Sequence, residues 1–501
     1  MLTVPSASAI HELKTLILSF HPLILVESVE EERVRDLTVG VSNQLDLKLF
    51  EWSITQGMVR HGSDGPPTIT TKPAIGALGH IKTLKVQAVF LLKDFGPYLE
   101  DPAVVRLLRE VCQQLREVRS TVVITGARIT VPADLNPSAV HFNLRLPDER
   151  ELEEAIRPVI YSLTGSGQAS NELKAGDFPR LVSALRGLTL HQARQAVARV
   201  IVDDERLDGE DIPRLLDQKA SLLRDGGLLE YYPAASNQFE LGGFGRLKDW
   251  LDRTALGFTD QAREFNLPAP KGMVLVGVQG CGKSLAAKVV ARQWGMPLLR
   301  LDAGSLYDKF VGETEKNFRR SVAVAESMAP AVLWIDEIEK AFAGASSADA
   351  DGGLSRRVLG MFLTWMQEKT AGVFVVATAN DLASLPPELL RKGRFDEVFF
   401  VDLPTESERK EIFEIHLRLR HQDPGELDCS KLVAMTNGFS GSEIEQVVVA
   451  GLYRTLHRSE QHITTEVLLE EVRGTVPLSV SRAEDIAQLR EMAKSRFIPV
   501  T

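Results

Sequence analysis

The sequence predicts an α/β protein of two tandem modules, each a doubly wound parallel sheet, in which the first module is a degenerate copy of the second. Apolar, β-branched runs alternate with helical patterns: Val89-Phe90-Leu91-Leu92, then a helical pattern reaching Val118, then Thr121-Val122-Val123-Ile124-Thr125. That alternation is what parallel strands joined by crossover helices require. Five segments also recur in one order, the mark of a duplication. Residues 23–27 with the following helix match 273–288, 89–95 match 332–338, 121–128 match 373–380, 140–150 match 398–408, and 187–200 match 438–451. Finally, Val274-Leu275-Val276 breaks at Gly277 into a glycine-rich loop ending Gly282-Lys283-Ser284, whereas Ser28-Val29-Glu30-Glu31 stands at the matching place in the first module.

The chain has 501 residues, 44% hydrophobic and 25% charged, which is room for roughly two to four domains with cores of their own. A net charge of -10 argues against a general nucleic-acid binder. Cys112, Cys281 and Cys429 are far apart and form no CxxC pair, so neither a disulfide framework nor a zinc site is expected, and a reducing compartment fits. No segment reaches the roughly 18 apolar residues of a membrane helix, and the start lacks a basic stretch followed by a long apolar core. The expected location is therefore cytoplasmic, or the plastid stroma if the source is a plastid.

Taken in order, residues 11–20 predict an amphipathic helix with Leu13, Leu16, Ile17 and Phe20 on one face, ended by His21-Pro22. Residues 23–28 read as a strand and a charged helix follows from Glu30. The Gly-, Pro-, Thr- and Ser-rich stretch 55–80 predicts a surface excursion. Strands follow at 88–95 and 121–125. The expected domains are a degenerate module over 1–200 without a phosphate loop, a linker over 201–237, a catalytic core over 238–403, and a helical region with the C-terminal tail over 404–501. Carboxylates at 28–31 stand where phosphates would need N–H donors and a lysine, so residues 1–200 are not expected to bind ATP.

In the second module each residue type has a chemical use. Gly277, Gly280 and Gly282 let the backbone turn its N–H groups toward phosphate oxygens. Lys283 can reach the β and γ phosphates, the helix beginning near it adds the positive end of its dipole, and the Ser284 hydroxyl can ligate Mg²⁺. ATP and Mg²⁺ are the expected ligands. Val332-Leu333-Trp334-Ile335 is a buried strand ending in Asp336 and Glu337. Asp336 suits a Mg²⁺ contact, and Glu337 suits the base that polarises an attacking water. Asn380 closes the next strand and could orient that water; an Asn taken alone is more often a simple turn residue.

From about residue 238 to 457 the chain resembles the AAA family of ATPases, motif by motif. Residues 277–284 are similar to its Walker A, 332–337 to its Walker B, and 377–380 to its first sensor. Leu389-Leu390-Arg391-Lys392-Gly393-Arg394-Phe395-Asp396 resembles the family's second region of homology. The resemblance implies a small helical lid after each sheet, a hexameric ring, and arginine fingers at Arg391 and Arg394 that reach the neighbouring subunit's nucleotide. Gly438-Phe439-Ser440-Gly441 resembles the lid signature beside the adenosine, His416 matches the family's nucleotide-contacting histidine, and Gly242 and Gly243 match the glycine pair ahead of the adenine pocket. The implied nucleotide site is thus Gly242, Gly277, Gly280, Cys281, Gly282, Lys283, Ser284, Leu285, His416 and Gly441. Residues 307–316 resemble the central pore loop, which implies that Lys309 and Phe310 grip an extended polypeptide; an ordinary core position is the rival for Phe310. The stretch 344–353 is expected as a second pore loop.

There are departures from the pattern. Cys281 stands at a position usually Thr or Ser-like, Val278 and Gln279 where prolines are frequent, and Lys392 for a common Pro. None removes a donor or a charge, but a thiol at a helix N-terminus suggests oxidation that blocks ATP binding. The whole chain further resembles an AAA-type ATPase of cyanobacteria and plastids called a hypothetical chloroplast reading frame. What these resemblances imply is a Mg-dependent ATP hydrolase that remodels or unfolds a macromolecular client, with protein the favoured class and nucleic acid disfavoured by charge. The alternative is a nucleotide-dependent switch or scaffold whose first module binds a partner.

Overall fold

The computed structural model describes residues 7–62, 69–165, 169–174, 176–225, 229–233, 240–302, 313–342, 354–391, 393–460, 462–494 and 496–501. It divides into two units, Met1–Gln218 and Lys219–Thr501.

The first unit is built on strands β1 (Leu23–Glu27), β2 (Lys48–Ser53), β3 (Gly57–Arg60), β4 (Ala88–Leu92), β5 (Thr121–Gly126) and β6 (Ala139–His141). They lie in the order β3-β2-β4-β5-β1-β6, parallel except for the β2–β3 hairpin. β4 and β5 are buried along their whole length, as continuous apolar runs in a parallel sheet should be. Alternation then sorts their side chains. Phe90, Leu92, Val122 and Ile124 join one core with the helices Ala74–Thr83 and Pro102–Val118. Val89, Leu91 and Val123 join a second core, on the other face, with the helices Ala7–Leu18 and Glu31–Gln44. The helices Glu149–Gly165, Asp177–Ala184 and Leu190–Asp204 follow, with a two-stranded ribbon of β7 (Ser170–Asn171) and β8 (Arg206–Leu207).

Two stretches differ from expectation. The surface excursion over 55–80 instead contributes β3 and the helix Ala74–Thr83, whose Ala77, Leu78 and Ile81 are buried. Trp52 Nε1 donates to the Thr71 carbonyl at 2.6 Å, and Thr71 Oγ1 accepts from Met58 N at 2.7 Å, so the turn is pinned to the sheet. The stretch 201–237, expected as a linker, holds the end of the helix Leu190–Asp204, then β8, the helix Asp211–Asp225 and the strand β9 (Leu229–Tyr232). Ile212 and Leu215, three residues apart, give the helix Asp211–Asp225 an inward face.

The second unit adds β10 (Gly272–Gly277), β11 (Leu298–Leu301), β12 (Ala331–Ile335), β13 (Val373–Ala379), β14 (Glu397–Val401) and β15 (Ile498–Pro499). The sheet runs β15-β14-β10-β13-β12-β11-β9, parallel except for β9 against β11. Its β11-β12-β13-β10-β14 order repeats β2-β4-β5-β1-β6 of the first unit strand for strand. The chain is two tandem modules of one type. A lid of the helices Glu406–Arg418, Cys429–Met435, Gly441–His457 and Thr465–Gly474 closes on its own core of Phe413, Leu417, Leu432, Ile444 and Leu468. The duplication reaches the helix caps. Ser440 and Glu443 form a capping box at the start of Gly441–His457, and Thr189 and Gln192 form one at the matching start of Leu190–Asp204. Among the described residues no helix is long and apolar enough to cross a membrane.

Candidate active site

β10 is pinned between β13 and β14, and its last residue sets the loop that follows. Gly277 has φ 154°, and a Cβ there would lie 1.9 Å from the Val401 carbonyl oxygen; no other residue fits. Gly282, at φ 88°, caps the helix Lys283–Gln293, which buries Ala286, Ala287, Val290 and Ala291 against the sheet. The Lys283 side chain is almost fully enclosed. Its Nζ donates to the carbonyls of Gly277 and Val278, each at 2.8 Å, so in this state the ammonium braces the loop. Burial pushes its pKa down to about 8, against the pull of the neighbouring acids.

At the carboxyl end of β12 the two acids take different environments. Asp336 Oδ1 accepts from Ser284 Oγ at 3.1 Å and from Thr378 Oγ1 at 2.5 Å. Glu337 sits in the left-handed region at φ 49°, a strained conformation, with its N–H bound to Thr378 Oγ1 at 3.1 Å. Asn380 Nδ2 donates to Glu337 Oε1 at 3.0 Å, and Lys340 Nζ donates to Oε2 at 2.6 Å. Ser284 and Asp336 offer the hard oxygen donors a magnesium ion takes. Among the described residues no group of three His, Cys, Asp or Glu side chains could cage a metal by itself.

Sequence reasoning missed Glu339. It is buried, its Oε1 accepts from Asn380 N at 3.0 Å, and its Oε2 has no hydrogen-bond partner. Burial raises its pKa. It holds the backbone of Asn380 while Glu337 holds the side chain; the alternation of acids in Asp336-Glu337-Ile338-Glu339 is the signal that could have marked it.

The lid meets the loop directly. Ser442 N donates to the Gly280 carbonyl at 2.9 Å, bringing Gly441 to the phosphate loop. Gly242 packs on Ile412, and Gly243 N donates to Glu411 Oε2 at 2.7 Å. His416 is half-buried, with Nδ1 at 3.7 Å from Glu445 Oε1 and 3.3 Å from Arg420 Nη1; burial lowers its pKa. A cavity of about 390 Å³ opens beside these elements, lined by Leu241, Val289, Arg292, Glu411 and Ile415 among others. Cys281 is buried, and burial pushes its thiol up to about 12, an environment that works against the thiolate on which the oxidation expected at this residue depends.

Arg391 is exposed and Arg394 half-exposed, the latter hydrogen-bonded to the Glu388 carbonyl. Among the described residues neither forms a hydrogen bond or ion pair with the phosphate loop or with Asp336 and Glu337. Asp396 anchors the segment by accepting from Lys271 N at 2.6 Å and Gly272 N at 2.9 Å. Lys309, Phe310, Lys392 and the stretch 344–353 lie outside the described residues.

The model of the ATPase family associated with various cellular activities (AAA) matches residues 273–403. Models of SpoVK-like AAA ATPases match 9–144, as the N-terminal domain, and 150–226, as the second domain. An AAA domain-containing protein ycf46 from Guillardia theta is 36% identical over 492 residues, covering 97% of this chain and 95% of the relative. The chain belongs to the AAA ATPase family. Another ycf46 protein, from Pyropia yezoensis, is 34% identical over 96% of this AAA chain and 97% of its own length. The proteasome-activating nucleotidase of Aeropyrum pernix is 34% identical over 217 residues, 42% of this chain and 52% of the relative. A Cell division cycle protein 48 homolog from Archaeoglobus fulgidus is 26% identical over 68% of this chain and 50% of its own length. The first AAA module, matched by its own family models, holds no counterpart of the phosphate loop: Glu30 Oε1 there accepts from Leu190 N at 2.8 Å, at the start of the helix that matches the lid helix Gly441–His457.

Proposed function

We propose that this AAA ATPase hydrolyses ATP with Mg²⁺ in the second module of a homo-oligomeric ring, a hexamer by family analogy, and that hydrolysis drives remodelling of a protein client. The observation that supports the chemistry best is the joining of Ser284 and Asp336 at 3.1 Å beside the Glu337–Asn380 pair. Lys283 leaves the loop carbonyls to meet the β and γ phosphates. Ser284 and Asp336 would hold a divalent ion, which would supply neutralisation of phosphate charge and orientation of the γ group. Glu337 takes the proton of the attacking water while Asn380 keeps that water and the carboxylate aligned. Arg391 and Arg394, which among the described residues form no hydrogen bond or ion pair with the phosphate loop or with Asp336 and Glu337, act on the next subunit's γ phosphate, where a guanidinium in trans contributes roughly 10³ to 10⁵ in rate. Gly242, His416 and Gly441 border the nucleoside. Lys309 and Phe310 would grip the client.

The test is turnover against protein concentration, with Lys283→Ala and Arg391→Ala chains alone and mixed in equal amounts. Each alone is expected to be inactive, and the mixture to recover part of the activity, because a mixed ring sets an intact loop beside an intact finger. Concentration-independent turnover that survives Arg391→Ala would point instead to the second reading, a nucleotide-dependent switch.

The first module is proposed to bind no nucleotide. Lys93, matching Asp336, puts an ammonium where a metal-side acid would be, and pairs with Glu51 at 3.1 Å and Glu31 at 3.3 Å. Equilibrium binding should give one nucleotide per chain in wild type and none in Lys283→Ala; a residual site in the variant would contradict this.

A further inference from the structure

A row of side chains crosses three strands beside the metal-side acid. In register, Glu230 of β9 faces Arg300 of β11, and Arg300 faces Trp334 of β12. Asp336 lies two residues beyond Trp334, so strand alternation brings it to the same face. Arg300 Nη1 is 3.3 Å from Glu230 Oε2, and its Nη2 is 3.6 Å from Asp336 Oδ2. The guanidinium carbon lies 4.9 Å above the Trp334 ring, and Tyr232 Oη donates to the same Glu230 oxygen at 2.9 Å. Lys288 stands over the rings of Tyr232 and Trp334, at 5.7 and 5.8 Å. One planar cation therefore joins the acid of an edge strand to the acid expected at the magnesium ion.

The first module carries the same pair with its charges exchanged. Matching strand to strand, Glu51 of β2 occupies the place of Arg300 and Lys93 that of Asp336, and the two form an ion pair at 3.1 Å. Two copies that share no charge at these positions both join them, so the lateral contact is a built feature of the module and not a chance surface pairing.

We infer that Arg300 tunes magnesium binding by competing for the metal-side acid: it holds Asp336 from the side away from Ser284, and Glu230 offsets its charge so that the aspartate keeps its attraction for the divalent ion. This rests on the ATPase reading above. Without Glu230, the full positive charge of Arg300 bears on Asp336 and opposes the cation. Without Arg300, the carboxylate is released to the cation. β9 is an edge strand of the catalytic sheet, so Glu230 acts on the metal side from that edge.

The test is a Mn²⁺ titration of the full-length, ADP-loaded protein, read by the EPR signal of bound and free Mn²⁺. Glu230→Gln is expected to weaken Mn²⁺ binding roughly three- to tenfold, and Arg300→Gln to tighten it by a similar factor, the scale of one partly screened unit charge a few ångströms away. The double variant should follow Arg300→Gln, because Glu230 acts through the arginine, and Arg300→Lys should stay near wild type. A merely structural tie between β9 and β11 would shift all variants in one direction or none, and either result overturns the inference. Should Arg300→Gln fail to fold, Glu230→Gln and Arg300→Lys carry the test: weaker binding in the first with the second near wild type is expected, and joint weakening overturns the inference. If wild-type protein shows no nucleotide-dependent Mn²⁺ binding, the ATPase reading fails; if wild type binds and the variants coincide with it, the inference alone fails.

Discussion

Replacing Glu337 by glutamine is expected to lower ATP turnover by roughly 10² to 10⁴-fold, the usual contribution of a positioned general base, while nucleotide still binds. The argument is geometric. Glutamine has the shape of glutamate and can still accept from Asn380 Nδ2, which now donates to Glu337 Oε1 at 3.0 Å. The left-handed backbone at φ 49° and the N–H bond to Thr378 Oγ1 are fixed by the main chain and survive the change. What is lost is the basic oxygen. Lys340 also loses its carboxylate partner at 2.6 Å, but it is an exposed residue on the helix Ile338–Ala341, so little stability is at stake. Steady-state turnover together with titration of a fluorescent ATP analogue separates the two effects. Turnover close to wild type would remove Glu337 from the base role, and loss of both turnover and binding would mean that the carboxylate supports the loop instead.

The parts of this site that could be read from sequence are those whose backbone requirement is local. Gly277 and Gly282 are forced by the turn itself, and Lys283 and Ser284 follow from the helix it opens. β4, β12 and β13 were legible because strands buried on both faces are continuous apolar runs. What escaped depends on neighbours distant in sequence. Lys-Leu-Phe-Glu-Trp-Ser of β2 buries Leu49 and Trp52, exposes Lys48 and leaves the rest half-buried, so it lacks the continuous run. The helix Ala74–Thr83 has the glycines of a loop and becomes a core element through contact with the helix Pro102–Val118 and the sheet. β9 follows a helix rich in charges of both signs and is a strand because β11 offers it an open edge. Glu339 looked like one more acid after a turn; its meaning lies in the Asn380 N–H that it accepts from a different strand. The exchanged pairs Glu51–Lys93 and Arg300–Asp336 could not be seen at all before strand register brought each pair together.

Arg33→Ala is expected to destabilise the first unit by about 3–5 kcal/mol, the cost of breaking a buried ion pair from one side. Arg33 is 4% exposed, as is Glu151, and Glu30 is 10% exposed. Its Nη2 donates to Glu151 Oε2 at 2.9 Å, and its Nη1 donates to Glu30 Oε2 at 3.2 Å and the Arg145 carbonyl at 2.5 Å. Removing the guanidinium leaves two enclosed carboxylates facing each other's charge with one strong donor fewer between them. Because the chain has two units, a single unfolding midpoint would mix their responses. Hydrogen exchange of the β1, β4 and β5 amides in the full chain reads the first unit alone, and there the loss of protection should appear, with β10, β12 and β13 unchanged. A triple variant, Arg33→Met with Glu30→Gln and Glu151→Gln, should recover most of the protection, since a neutral cluster of similar volume has no desolvated charge to compensate. Recovery would mean that the cluster fills the degenerate site by volume, as a nucleotide would by binding; failure to recover would mean that the ion pairs themselves hold the helix Leu190–Asp204 to the loop through Glu30.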